Sequence, residues 1–413
     1  MTSLSTSTIL PSIVGLALPT RLRIAFIKRL LGHVERGRLT VVLPDGTRLA
    51  ADGRLPGTDA ELRIVRWRTV SRLLTSGDIG FAEAYVDGDW DTPDLVAFVT
   101  LCADNLDTLV TAAEASLPVR LAQRLLMLMR RNSKAGSRRN IMAHYDLGNA
   151  FYAHWLDRQM IYSSALYEDG DDLEAAQTRK LQRIASLLDL DGNQSVLEIG
   201  CGWGGLAAHL VEAGARSVNG ITLSPAQLAI GQDLLRQRGL AEQVSLELRD
   251  YRDVEGQYDR IVSIEMFEAV GEAYWSGYFD KLREALKAGG RAVVQVITIA
   301  DDRFEHYRSH PDAIQTMVFP GGMLPSKAVF AEMAERAGFA LRESLDFGPS
   351  YAKTLADWRQ RFEAAWPGIA DLGYSIPFKR LWSYYLAYCE AGFRTGRIDV
   401  SLYALEPALD GKR

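Results

Sequence analysis

The sequence predicts an α/β fold, a doubly wound and mostly parallel sheet with a smaller α+β domain on its N-terminal side. Ser195-Val-Leu-Glu-Ile-Gly-Cys-Gly-Trp-Gly-Gly205 runs apolar β-formers into closely spaced glycines and then into the helical stretch Leu206-Ala-Ala-His-Leu-Val211. From there strand and helix alternate over about 110 residues, the rhythm of repeated βαβ units. Between Leu39 and Arg72 the texture differs: short β-like runs around turn residues, which sets the smaller domain apart.

At 413 residues the chain exceeds one typical domain. A net charge of −5 argues against nucleic acid as a partner. Cys102, Cys201 and Cys389 are far apart and odd in number, which suits a reducing compartment better than a disulfide framework. No Cys/His pair has metal-ligand spacing and the histidines are scattered, so no metal is expected. The apolar run Ile9 to Leu18 is broken by Pro11 and preceded by no Lys or Arg, a poor secretory signal. No run reaches ~18 uncharged apolar residues, so no membrane span is predicted and a cytoplasmic location is expected.

In chain order, Arg21 to Arg38 has apolar residues at helical spacing among six Arg or Lys. It reads as one basic amphipathic helix, packed on its own domain or lying on a membrane surface. Leu39 to Leu49 forms two β-runs about Pro44-Asp45-Gly46, a hairpin signal, and Glu61 to Trp67 suggests another strand. A helix from about Pro93 to Leu106 follows, and residues 1–115 are taken as the α+β domain. Residues 116–139 are a basic linker, with Leu121, Leu125 and Met129 among Arg120, Arg124, Arg130 and Arg131. They read as a hinge helix or as a patch for anionic headgroups. Residues 140–413 make the main domain. Within it, Asn140 to Tyr152 and Ile161 to Tyr167 crowd aromatic and hydroxyl side chains together, the mixture of an active-site lining.

Leu173 to Leu188 is a predicted helix before the glycine strand. Val218 to Leu223, Val244 to Leu248, Tyr258 to Ile264 and Arg291 to Ile299 are the later strands. Ser224-Pro225 opens a helix with Gln227 in its first turn, and a helix from Tyr274 to Leu286 is closed by Gly289-Gly290. In such a sheet the ligand lies past the carboxyl ends of the strands. The residues falling there are Gly200, Cys201, Gly202, Trp203 and Gly204, then Thr222, Leu223 and Gln227, then Asp250 and Tyr251, and last Glu265 to Glu268. No Lys or Arg accompanies the glycine turn, where a phosphate would want one; Glu198 stands two residues before it instead. The turn is G-x-G-x-G rather than the dinucleotide G-x-G-x-x-G, and the second strand ends without an acid for ribose. A ligand with a cationic head fits, which points to S-adenosylmethionine, with Tyr251 stacking on adenine.

Seven segments now stand in order: HYDLGNAFYAHWL, MIYSSALYED, VLEIGCGWGG, GITLSPAQ, YDRIVSIEMFEAVG, FPGGMLPS and SYYLAYCEAGFRTGRIDV. Over about residues 137 to 405 the chain resembles the cyclopropane-fatty-acyl-phospholipid synthases and mycolic acid cyclopropane synthases. The resemblance implies a Rossmann-like class I methyltransferase sheet. It implies transfer of a one-carbon unit from S-adenosylmethionine to the cis double bond of unsaturated phospholipid acyl chains. A carbocation forms, and loss of a proton from the new methyl closes a cyclopropane ring. By resemblance Tyr162, Ser163, Val196 to Gly204 including Glu198, Thr222 to Gln227, and Tyr251-Arg252 line the cofactor. A bound bicarbonate is implied as base, with Glu268, the Ile297 backbone and Tyr351 holding it. Cys389 falls on a cysteine treated as catalytic in the family. Alkene attack on a methyl needs no covalent enzyme intermediate, so a packing role stands beside that one.

Two positions depart from the family: Ser164 replaces a cysteine and Gln295 replaces a histidine. Both can hydrogen-bond an anion, but the glutamine cannot become charged, which puts the holding of bicarbonate and ring closure in question. Methyl transfer ending in a methyl or methylene branch is the alternative. Thr316 to Pro325 and the aromatic-rich helices Leu355 to Ala370 and Phe378 to Phe393 fit a lipid tunnel, and Ile398 to Leu405 reads as a final antiparallel strand. The implied setting is peripheral, on the inner face of the membrane, with a homodimer allowed. The readings set against this one are a lipid-binding protein without catalysis and a methyltransferase acting on an unrelated small molecule.

Overall fold

The computed structural model describes residues 19–113 and 147–408. The chain divides into two compact units, residues 1–122 and 123–413. The basic stretch Pro118 to Arg139, most of residues 116–139, and residues 140–146 of the first aromatic segment lie outside the described residues.

In the first unit, α1 (Thr20–Leu31) turns Ile27 and Leu31 inward. The single basic helix expected to Arg38 is shorter than that. Gly32 ends it, and Arg36 and Arg38 belong to β1 (Arg36–Val42), where alternate residues are buried. The hairpin is formed as expected: β1 pairs antiparallel with β2 (Arg48–Asp52), and Gly46 takes φ 85 in the turn. β3 (Leu55–Ile64) pairs parallel with β1 and antiparallel with β4 (Trp90–Asp91), giving the order β2-β1-β3-β4. α2 (Arg68–Val86), kinked at Gly77, α3 (Leu95–Asp104) and α4 (Leu106–Ala113) complete the unit.

In the second unit, α5 (Asn149–Ala153) and α6 (Leu173–Leu188) precede the sheet. The strands are β5 (Ser195–Ile199), β6 (Ser217–Thr222), β7 (Val244–Leu248), β8 (Tyr258–Ile264), β9 (Leu286–Ile299), β10 (Phe339–Asp346) and β11 (Ile398–Pro407). Their order is β10-β11-β9-β8-β5-β6-β7; β5 to β9 pair in parallel, and β11 runs antiparallel between β9 and β10. This is the doubly wound, mostly parallel sheet. Its helices are α7 (Gly205–Glu212), α8 (Pro225–Gln237), α9 (Trp275–Ala285) and α10 (Phe304–Ser309), then α11 (Ala313–Met317) and α12 (Lys327–Arg336). The long pair α13 (Gly348–Asp371) and α14 (Ile376–Arg394) completes them.

Two sequence expectations change here. Gly289-Gly290 do not close the helix: α9 ends at Ala285, and the glycines lie inside β9, Gly289 at φ 71 where the pairing with β8 shifts register. The strand β10 carried no clear signal because Phe339 is its only buried residue; it is an edge strand with charged side chains, a common device against edge pairing.

The sheet brings Leu246 of β7 beneath the glycine turn. An added Cβ would come within 2.6 Å of a Leu246 methyl at Gly220 of β6 and at Gly231 of α8, and within 3.1 Å at Gly204. Three glycines thus make room for one leucine, and their spacing holds the turn close to the sheet. Gly220→Val, which also meets the Cys201 side chain, is expected to destabilise the unit by about 1–3 kcal/mol through overpacking, seen as a lower urea midpoint.

Candidate active site

The strand β5 is buried on both faces and delivers Glu198 to its carboxyl end. The backbone then turns through three left-handed glycines, Gly200 (φ 85), Gly202 (φ 53) and Gly204 (φ 81), before α7 begins. Side chains would strain all three positions. At Gly200 a Cβ would also lie 3.2 Å from Met266, so the turn packs directly on the loop after β8. Gly200 and Cys201 both donate backbone N–H to the Ile221 carbonyl, which ties the turn to β6. Trp203 is buried and donates from its indole N–H to Asn149 Oδ1 at 2.7 Å; Asn149 in turn donates to the Ala226 carbonyl of α8.

Glu198 is 3% exposed, and its Oε2 has no hydrogen-bond partner among the described residues. Burial pushes its carboxyl up to about 8, opposed by the nearby Lys180 ammonium and the Ala207 N–H. A buried carboxyl with a free oxygen beside an open glycine turn is a fit for a cationic head group. Past β6, Ser224 caps α8 through Gln227 N, and the Gln227 Oε1 accepts from Thr222 Oγ1 at 2.9 Å. Leu223 is half-buried between them. Past β7, both oxygens of Asp250 are taken by Arg252, at 2.8 and 2.6 Å, and the guanidinium lies 5.5 Å over the Tyr251 ring. Val196, four residues before Gly200, is a core residue inside β5 and does not reach the strand end.

A second cluster lies at the carboxyl ends of β8 and β9. Glu265 has φ 50, unusual for a residue with a side chain. Its Oε1 accepts from Ser164 N at 2.8 Å and from Gln295 Nε2 at 2.7 Å, and its Oε2 accepts from the Tyr351 hydroxyl at 2.6 Å. The Gln295 carbonyl also receives the Glu265 backbone N–H. Glu268 accepts from Ile297 N at 2.5 Å, while its Oε2 is buried without a partner among the described residues. Burial and the neighbouring Glu265 push the Glu268 carboxyl up to about 8. Burial raises Glu265 as well, against the pull of its donors and of Lys180. Each residue keeps part of its surface open although its carboxyl is surrounded by protein.

Lys180, 1% exposed on α6, links the two clusters. It donates to Ser163 Oγ at 2.7 Å and acts electrostatically on both Glu198 and Glu265. Burial brings its own ammonium down to about 8. The Ser163 carbonyl accepts from Gln177, and Ala165 N donates to Thr354 of α13, so this segment is fixed on both sides. Aromatic rings wall the cluster: Tyr162 packs on Trp155 and Trp358, Tyr351 stacks on Phe393 at 4.4 Å, and the Tyr162 hydroxyl meets that of Tyr385 at 2.9 Å. The apolar loop at 316–325 reaches in, with Met323 N donating to the Glu268 carbonyl. Cys389 flanks Tyr351 and Tyr385, and burial pushes its thiol far above the usual range, so almost no thiolate exists at neutral pH. That state fits packing rather than nucleophilic attack.

The structure therefore gathers Ser164, Gln295 and Tyr351 around one acid and Ile297 around another. Lys180 is the participant that sequence reasoning did not single out, and Glu265 was named only as the start of the run to Glu268, with no role of its own. Their signals were a second acid three residues before Glu268 and a lysine on the buried stripe of α6.

The family model for mycolic acid cyclopropane synthetase matches residues 132–403. The chain belongs to that family. It is 38% identical over 379 residues to the tuberculostearic acid methyltransferase UfaA1 of Mycobacterium tuberculosis, covering 89% of this chain and 87% of that one. It is 36% identical over 356 residues to the cyclopropane-fatty-acyl-phospholipid synthase of Escherichia coli, covering 85% and 88%. Among solved structures, the mycolic acid cyclopropane synthase CmaA1 complexed with SAH and CTAB matches with TM-score 0.61 and 31% identity, over 65% of this chain and 97% of that one. The protein is thus an S-adenosylmethionine-dependent methyltransferase of the fatty acid methyltransferase and cyclopropane synthase family. No helix of the described residues is long and apolar enough to cross a membrane.

A cationic ligand at Glu198 favours the ionised carboxylate, so below pH 8 its binding should expel a proton. Calorimetry of S-adenosylmethionine binding at pH 7, in buffers of different ionisation heat, is expected to show this release. Glu198→Gln should abolish it and weaken binding about 10- to 100-fold.

Proposed function

We propose that this protein transfers the methyl of S-adenosylmethionine to the cis double bond of an unsaturated phospholipid acyl chain and releases a methylene-branched chain. The observation that carries this reading is the meeting of an acidic glycine turn with buried carboxyl groups and aromatic rings, a setting made for cations. S-adenosylmethionine supplies, when bound, an electrophilic methyl on a cationic sulfur. The glycine turn and Glu198 hold that head, with Thr222, Gln227 and Tyr251 along the rest of the cofactor. Tyr162, half-buried and backed by Trp155 and Trp358, supplies aromatic surface for the carbocation that follows alkene attack. Burial of the cluster keeps out water, which would capture the cation as an alcohol.

Ring and methylene branch both end with loss of a proton from the transferred methyl. If the proton leaves at once, its electron pair closes the ring. If a hydride first moves from the methylated carbon to its cationic neighbour, the pair forms a methylene double bond. Ser164 and Gln295, the two departures from the family, both donate to the Glu265 side chain, and this change where the proton acceptor is held supports an ending other than the ring. UfaA1 is named a methyltransferase rather than a cyclopropane synthase, which supports methyl transfer without ring closure. Ring closure is the second reading, favoured by the Escherichia coli relative. The substrate lies in a bilayer, which makes a peripheral location on its inner face the fitting one. The tip between α13 and α14 supplies a surface for it, with Leu372 and Ile376 47% and 61% exposed ahead of Lys379 and Arg380.

In a host rich in unsaturated phospholipids, expression is expected to raise the mass of part of the acyl pool by one CH₂. Nuclear magnetic resonance of that product should give vinylidene protons; strongly shielded cyclopropyl protons would establish the ring instead. An unchanged lipid profile from folded, cofactor-binding protein would overturn the substrate. Leu372→Asp combined with Ile376→Asp should cut co-sedimentation with anionic vesicles several-fold while leaving cofactor affinity unchanged. Undiminished sedimentation would remove the tip from the membrane contact.

A further inference from the structure

A base must take the methyl proton, and the family resemblance implies a bound bicarbonate for that task. The residues present do not fit one. Ser164 N, Gln295 Nε2 and the Tyr351 hydroxyl are spent on Glu265, and Ile297 N is spent on Glu268. Resting on the reading above, we propose that the Glu265 carboxylate itself stands in the place of that ion and is the catalytic base.

Three features of the geometry carry this. All three partners donate to Glu265, two of them from N–H groups that cannot accept, so they favour the carboxylate against the upward pull of burial. A carboxylate offers about four acceptor positions, and three are filled, leaving one on Oε2 for a proton. The left-handed backbone at Glu265, with its N–H held by the Gln295 carbonyl, is a costly conformation that aims the side chain back into the cluster. Beside it Glu268 Oε2 is buried without a hydrogen-bond partner among the described residues. Lys180 adds a positive charge that opposes the upward pull of burial on the Glu265 carboxyl.

The reaction balances without a further reagent. The alkene pair forms the new C–C bond as the C–S bond breaks onto sulfur, and the cation appears on the adjacent carbon. A hydride moves from the methylated carbon to that neighbour. Glu265 Oε2 then takes a proton from the methyl, and the C–H pair becomes the methylene double bond. The acid so formed returns its proton to solvent.

The test compares wild type with two variants. Wild-type turnover should be the same in carbon-dioxide-free buffer and after bicarbonate is added, and [¹³C]bicarbonate should show no binding by NMR titration. Glu265→Gln should lose at least about 100-fold in turnover with cofactor affinity, by calorimetry, within about twofold of wild type. Glu265→Gly vacates the donors; it should bind [¹³C]bicarbonate, and added bicarbonate should raise its turnover at least about 10-fold. Bicarbonate binding to wild type overturns the inference whatever the activity. So does full turnover in Glu265→Gln, or a Glu265→Gly variant that neither binds nor responds to the ion. Wild type that binds cofactor yet modifies no acyl chain would instead count against the functional reading.

Discussion

The arrangement of this site depends on one carboxyl group buried inside protein and surrounded by donors. An isolated buried carboxylate is costly, and the cost falls only when donors surround it. Glu265 meets that condition with groups from three separate pieces of chain: the segment after Tyr162, strand β9 and helix α13. Each must be placed to within hydrogen-bond distance, so the acid fixes their mutual position as much as they fix it. The Ala165–Thr354 bond and the Tyr351–Phe393 stack reinforce the same junction from either side.

The second half of the site inherits its position from the first. Met266 follows Glu265 directly and fills the space left by the missing Cβ of Gly200, so the cofactor turn rests on the loop that carries the base. Lys180 lies between the two acids and donates to Ser163, the neighbour of Ser164. The electrostatics divide along this line. Glu198 has a free oxygen for a permanent cation, whereas Glu265 is held by three donors and keeps one position for a proton. A transient cation formed between them is drawn by both acids, and the aromatic rings line the rest.

The fold was largely legible in the sequence because its signals are local. The glycine turn, the Ser224 cap and the apolar strands each declare themselves within about six residues, and the structure puts them where expected. The edge strand β10 and the merged end of α9 were not legible, since exposure and a bulge erase the usual patterns. In the site, Ser164, Gln295 and Tyr351 could be named singly from the family pattern and Glu265 from its strand end, but not that the three meet on that acid. Contacts spanning 101, 30 and 86 residues leave no periodicity to read. Glu265 looked like part of a strand end until the sheet folded its donors around it.

That shared acid also turns the two departures from the family into one change. Residue 164 contacts Glu265 through its backbone N–H, so serine in place of cysteine leaves that bond untouched. Residue 295 donates through a side-chain N–H. A histidine there can carry charge and so help retain a diffusible anion; a glutamine cannot. Once the carboxylate is tethered to the chain, retention is no longer needed, and a neutral donor that keeps its hydrogen at every pH is sufficient. A charged histidine beside Glu265 would lower the basicity of the carboxylate through its positive field. Glutamine avoids that loss. The residue that seemed to weaken anion holding is thus the one that keeps a fixed acid basic enough to take the methyl proton.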